Sequence, residues 1–226
     1  MTISVHGEEQ VSTEETWKLL VVDWERVTVS TPQSCGGVST MSSIENLIDL
    51  FELAGKLKQT DRAGWITQLG IRNPESVADH SYRCAVMGLF LSNETGTDAL
   101  RLVQMLLLHD LHESVIGDLD KPTKNRMGPQ RVRAIENKGV RQVASALPDN
   151  LRIEYASVWR ELLEGATAEA VLATDIDKLE MALQALEYER QGYPREKLEE
   201  FWRYVDENIK TPIGQDLLRA LRKRRQ

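Results

Sequence analysis

From residue 42 onward, apolar residues recur at helical spacing along almost the whole chain, and alternating strand-like patterns are nearly absent. The pattern predicts an all-α fold. Its punctuation falls at Asn73-Pro74, Asn93 to Thr97, Lys121-Pro122, Gly128-Pro129, Leu147-Pro148-Asp149, Gly192-Tyr193-Pro194 and Thr211-Pro212. Between these breaks helices are expected near 43–59, 78–93, 98–110, 112–118, 130–146, 150–164, 168–191, 195–209 and 213–224. The first has Ser42-Ser43 as an N-cap pair and an apolar series through Ile44, Leu47, Ile48, Leu50, Phe51 and Leu57. No internal repeat or sustained heptad pattern interrupts this reading, which points to a single helical bundle over 42–226.

Residues 1–41 differ. They hold six acids and two bases before Met41 and then the stretch Ser30-Thr31-Pro32-Gln33-Ser34-Cys35-Gly36-Gly37. This composition predicts a variable, loosely attached N-terminal extension, and it leaves open Met41 as the initiator.

At 226 residues with 41% hydrophobic content, the chain has enough apolar side chains for one sizeable core. No run approaches the roughly 20 apolar residues of a membrane span, and the N-terminus carries Glu8-Glu9 and Glu14-Glu15 where a secretory signal would carry cations. A cytoplasmic protein without a membrane partner is expected. Only two cysteines are present, Cys35 and Cys84, and both are expected reduced. The net charge of −7 argues against a surface built to trap nucleic acid. The basic C-terminal run Arg219, Arg222, Lys223, Arg224, Arg225 reads better as cations completing a helix macrodipole than as a nucleic-acid tail, because no stacking aromatics accompany it.

The chemistry concentrates at His109-Asp110, directly after the apolar run Met105-Leu106-Leu107-Leu108. Polar groups at the end of a buried helix need partners to offset desolvation, and a metal ion is one such partner. His80 opens a second helix within Ser76-Val77-Ala78-Asp79-His80-Ser81-Tyr82-Arg83, and Asp175-Ile176-Asp177-Lys178 lies in a third. Imidazole nitrogens and carboxylate oxygens from three helices can surround one divalent ion and still leave coordination positions open.

This constellation resembles the HD-domain metal-dependent phosphohydrolases, and within them the 5'-deoxynucleotidase subgroup. The supporting strings are Arg62-Ala63-Gly64-Trp65, Asn73 to His80, His109-Asp110-Leu111-His112-Glu113, Gly117-Asp118-Leu119 and Asp175 to Glu180, in family order over about residues 42–210. The resemblance implies a helical fold that hydrolyses a small-molecule nucleotide phosphomonoester. It implies His80, His109, Asp110 and Asp177 as ligands of one divalent ion, which this donor set leaves open among Mn, Co, Fe, Zn and Ni. It further implies Glu113 and Asp118 as the catalytic carboxylates near the metal-bound water, with Arg62, Trp65 and Lys178 toward the substrate.

Four local readings accompany these roles. Glu113 is four residues after His109 and would share its face if one helix continued through both. Gly117 gives the backbone freedom to turn Asp118 back toward the ion. His112 is expected as a neutral, hydrogen-bonded histidine rather than a ligand. Helical-wheel position places Asp175 nearer the apolar stripe than Asp177, whereas family correspondence selects Asp177 and leaves Asp175 as a supporting or surface acid.

The chain departs from the family pattern between Trp65 and His80, with one residue more than usual and Gln68 where a base is frequent; Arg72 is the candidate replacement cation. Two other functions remain open: a different HD phosphohydrolase reaction, on a nucleoside triphosphate or cyclic phosphodiester, and a non-catalytic metal-binding regulatory module. The family likeness implies a homodimer. The segment Tyr193 to Ile209, with Leu198, Phe201, Trp202, Tyr204 and Val205, offers apolar surface for either a partner or the chain's own core.

Overall fold

The computed structural model describes residues 41–225; the expected N-terminal extension and Cys35 lie outside them. The described residues form α1 (Met41–Lys56), a 3-10 turn (Leu57–Gln59), α2 (Ala63–Leu69), α3 (Val77–Thr95), α4 (Ala99–Leu108) and α5 (Glu113–Ile116). There follow α6 (Lys121–Met127), α7 (Pro129–Ser145), α8 (Asp149–Glu164), α9 (Ala168–Arg190), α10 (Arg195–Asn208) and α11 (Pro212–Arg225). The all-α expectation holds. None of these helices is long and apolar enough to cross a membrane.

The long helix α9 organises the bundle. Leu172, Ala173 and Ile176 near its start join a core made with Cys84 of α3, Leu102, Met105 and Leu106 of α4 and Val158 of α8. Leu179, Ala182 and Leu186 further along join a second core with Trp65, Leu198, Trp202, Val205 and Leu221. A helix that contributes to two cores is buried around most of its circumference, so its charged residues need local partners.

Helix α3 begins at a capping box: the Asp79 backbone N–H donates to Ser76 Oγ at 3.1 Å, and the Ser76 N–H donates back to Asp79 Oδ2 at 2.9 Å. That fixes the first turn, one residue before His80. Further along, α3 packs on α4 so closely that a Cβ at Gly88 would lie 2.3 Å from Leu106 Cδ1.

Two short helices, α2 and α6, break the expected pattern. Lys121-Pro122 starts α6 instead of merely ending what precedes it, because proline suits the first turn and Asp120 caps the helix by accepting from the Thr123 N–H at 2.9 Å. The apolar series of α1 also differs from expectation: Ile44, Ile48 and Phe51 are exposed.

Leu198, Trp202 and Val205 of α10 are fully buried within the chain, which resolves the choice for these residues in favour of intramolecular packing. The C-terminal arginines serve the same end of the molecule, Arg225 bonding Glu189 at 2.7 Å and Arg222 pairing with Asp206 while facing the Trp202 ring.

Candidate metal centre and adjoining cavity

Three helices and a turn deliver the expected ligand residues to one point. His80 comes from the second turn of α3, His109 from the residue that ends α4, Asp110 from the turn after it, and Asp177 from the middle of α9. His80 Nε2 lies 3.3 Å from His109 Nε2 and 3.2 Å from Asp177 Oδ1. Asp110 Oδ2 lies 3.1 Å from His109 Nε2 and 3.8 Å from His80 Nε2.

Both rings are oriented from behind. His109 Nδ1 is 2.8 Å from the Leu106 carbonyl oxygen, and His80 Nδ1 meets the carboxylate of Glu180. With Nδ1–H donated outward, each Nε2 lone pair is left facing the cluster. Ligand atoms about 2.1 Å from one ion and at right angles to each other lie roughly 3 Å apart. The chemistry and spacing of His80, His109 and Asp177 therefore fit a divalent cation, with Asp110 alongside.

Charge points the same way. Burial alone would push the Asp110 and Asp177 carboxyls up, but His109 beside Asp110 and His80 beside Asp177 hold both below the usual carboxylate range. Burial likewise opposes a charge on either histidine, yet Cys84, Glu180 and Asp177 around His80 and Asp110 and Asp177 around His109 raise both imidazoles. The cluster favours positive charge at its centre, supplied by protons or by an ion.

Asp110 and Asp177 open onto a cavity of about 240 Å³ whose other walls include Arg62, Glu113, Asp118, Lys124, Lys178 and Tyr204. Arg62 Nη1 is 3.5 Å from Asp110 Oδ2. Glu113 is buried, its Oε2 has no hydrogen-bond partner, and burial together with Asp110 and Asp118 pushes its carboxyl well up. Helix α4 stops at Leu108, so Glu113 does not continue His109's helix; it begins α5 after a turn in which its N–H donates to the Asp110 carbonyl at 2.9 Å. Gly117 takes φ +76°, and Asp118 after it accepts from the Ala63 N–H at 2.6 Å, tying the acidic wall to the arginine wall.

Three expectations need revision. Asp175 is neither beside the metal cluster nor at the surface: fully buried, it accepts from the Lys210 and Thr211 backbone N–H groups at 3.0 and 2.6 Å and from Thr211 Oγ1 at 2.6 Å. Arg72 is exposed and does not line the cavity, whereas Gln68 does. Burial keeps His112 toward its neutral form, as expected, but its Nδ1 has no hydrogen-bond partner; the ring instead meets Trp159 edge-on.

Trp65 is only 2% exposed, stacked on Phe201 at 4.3 Å with its Nε1–H donated to Glu75 Oε1 at 2.8 Å, so it braces the cavity wall from the core. Lys178 is also buried and donates to the Thr174 carbonyl at 2.8 Å. The sequence reading missed Lys121 and Lys124, which line the cavity from α6; Lys124 pairs with Glu136 at 3.1 Å and Lys121 lies 4.3 Å from the Tyr204 ring centre. Asp120 capping ahead of a proline was the available signal for the helix that carries them.

A helical fold that gathers His, His-Asp and Asp from three helices and a turn at one side of a polar cavity defines an HD-type protein, and the chain belongs to the HD domain family, whose model matches residues 54–215. It is similar to the 5'-deoxynucleotidase HDDC2 of Dictyostelium discoideum, at 35% identity covering 77% of this chain and 95% of that protein. The human 5'-deoxynucleotidase HDDC2 is 34% identical over 70% of this chain and 75% of its own length. Among solved structures, a conserved hypothetical protein from Pyrococcus furiosus superposes with a TM-score of 0.66 at 34% identity, covering 78% of this chain and 99% of that one.

Proposed function

We propose that the chain is a metal-dependent phosphohydrolase that cleaves deoxynucleoside 5'-monophosphates to nucleoside and phosphate. The observation that carries this reading is the convergence of His80, His109, Asp110 and Asp177 at a cavity that also presents Glu113, Arg62 and Lys124. The similarity to 5'-deoxynucleotidases supplies the substrate class.

The four ligand residues would hold one divalent ion, of Mn, Co, Fe, Zn or Ni, which supplies positive charge for a phosphoryl oxygen and makes a water molecule more acidic. Glu113, on the cavity wall beside Asp110 and outside the ligand set, is assigned to activating or positioning the attacking water. Asp118 fixes the loop through Ala63 and adds a second carboxylate to that wall. Arg62 and Lys124 place fixed positive charge toward a phosphate dianion, and Lys178 narrows the wall beside Asp177. Trp65 sets the shape of the apolar side by holding Phe201 in place.

The same reading includes an HD unit spanning 42–226, an appended segment 1–41, a cytoplasmic location and a homodimer. Light scattering over a concentration series decides the last of these, and a monomer at every concentration rejects it.

Phosphate release from a nucleotide panel, measured with each of several divalent metals, tests the activity. Metal-dependent turnover of deoxynucleoside 5'-monophosphates above 3'-monophosphates, triphosphates and cyclic diesters is expected. Preference for triphosphates or cyclic diesters would move the chain to another HD reaction. Metal uptake without turnover of any phosphate ester would make it a binding module.

A further inference from the structure

Glu180 and Arg83 lie behind the metal cluster, and nothing in the catalytic reading uses them. Glu180 is completely buried on α9, one turn beyond Asp177, and its two oxygens serve different partners. Oε2 meets His80 Nδ1, while Oε1 accepts from Arg83 Nε at 2.8 Å and lies 2.6 Å from Arg83 Nη2 in an ion pair. Arg83 is three residues after His80 on α3, so ring and guanidinium leave the same face of that helix. Its remaining donors reach along α9 to Gln184 Oε1 at 2.5 Å and Glu187 Oε1 at 2.7 Å.

The guanidinium therefore spans nearly two turns of the helix that carries Asp177, while its own helix carries His80. A carboxylate is the only ordinary side chain that fits between these partners, because it accepts at both ends. Glutamine has one acceptor oxygen; if that oxygen takes His80 Nδ1–H, its amide N–H groups confront the Arg83 donors, and if it turns round, the imidazole loses its acceptor. Carboxylates behind metal-binding histidines fix the tautomer and raise ligand basicity.

Resting on the metal-centre reading above, we propose that Glu180 is a positioning residue for the metal, orienting His80, and that Arg83 clamps Glu180 and thereby sets the spacing of the two helices that supply His80 and Asp177. Arg83 and Glu180 act as one unit, so removing either should weaken the ion's hold without touching the reacting groups.

The test is Co²⁺ titration of the full chain after chelation, followed by calorimetry and by the visible absorption of the bound ion, for wild type, Glu180→Gln, Arg83→Met and the double variant. Glu180→Gln should bind Co²⁺ roughly 10–100-fold more weakly and shift the absorption band. Arg83→Met should weaken binding in the same direction by less, and Glu180→Gln should cost less in the Arg83→Met background than alone. Circular dichroism checks that each variant is folded; if Glu180→Gln does not fold, Arg83→Met alone decides. Wild-type uptake with affinity and spectrum unchanged in the folded variants overturns the Glu180–Arg83 assignment only. A wild-type chain that takes up no Co²⁺ overturns the metal centre, and this inference with it.

Discussion

Asp175 and Asp177, two residues apart on α9, direct their carboxylates to opposite tasks. Asp177 Oδ1 stands 3.2 Å from His80 Nε2 in the metal cluster. Asp175 turns away and gathers the Lys210 and Thr211 backbone N–H groups and the Thr211 hydroxyl, fixing the turn that leads into α11. One faces the candidate metal cluster; the other satisfies backbone donors that would otherwise be buried unpaired.

Substitution should separate the two. Asp175→Ala removes charge-assisted hydrogen bonds from a fully buried site and should cost about 2–3 kcal/mol of unfolding free energy while leaving metal uptake intact. Asp177→Asn should do the reverse, abolishing tight metal binding in a folded helical protein. Denaturant titration and metal analysis of both variants check this, and loss of metal in a folded Asp175→Ala would contradict the division.

Glu113→Ala should keep its metal and lose most of kcat, by about 10²–10⁴-fold, since the carboxylate borders the cluster without joining the two-imidazole ligand set. Phosphate-release kinetics at saturating metal, with metal content measured on the same samples, provide the readout. An unaltered kcat would reduce Glu113 to a buried acid with no part in the reaction.

Legibility in the sequence followed range. Helices long enough to show a 3.6-residue period, such as α3, α8 and α9, were visible from their apolar spacing, and His109-Asp110 stood out because polar residues after Met105 to Leu108 needed a reason. The short helices α2 and α6 were not visible, since seven residues give at most two turns and capping by Asp120 had to be read together with Pro122. Residue spacing also could not separate Asp175 from Asp177. On a helix buried nearly all round, the wheel does not say which face meets the metal and which meets a distant turn. Glu180 lies within a matching string that assigns it no role, because its partners His80 and Arg83 are about one hundred residues away in sequence.

Glu75, outside the ligand set but close behind it, offers a pH test. Burial, reinforced by Glu180, pushes its carboxyl from 4.5 up to about 7, so between these values the folded chain holds a proton that the unfolded chain has released. Stability contributed by this group therefore falls as pH rises from about 4.5 to 7, and the deficit is full above 7. Glu75→Gln keeps an acceptor for Trp65 Nε1 and abolishes the ionisation. Relative to wild type it should gain about 1–3 kcal/mol at pH 8 over its standing at pH 4, measured by urea unfolding at both. A difference between the two proteins that does not change with pH would show that Glu75 ionises normally.

The packing of α3 on α4 joins stability to the metal centre through Gly88. Glycine inside a helix is ordinarily worse than alanine by about 1 kcal/mol, so Gly88→Ala at an open site would stabilise. Here the added Cβ would fall 2.3 Å from Leu106 Cδ1 and 3.3 Å from Leu102 Cγ, both in side chains buried in the core beneath α9. Overpacking of this kind costs about 1–3 kcal/mol, which outweighs the helix-propensity gain and predicts net destabilisation. Leu106 is also the residue whose carbonyl holds His109 Nδ1 at 2.8 Å. Pushing it aside should tilt His109 away from His80, eight residues before Gly88 on the opposing helix, and lower metal affinity along with stability. Urea unfolding and Co²⁺ titration of the same preparation measure both effects. If Gly88→Ala proves more stable than wild type and binds Co²⁺ equally well, Leu106 yields freely and the helix contact does not set the ligand geometry.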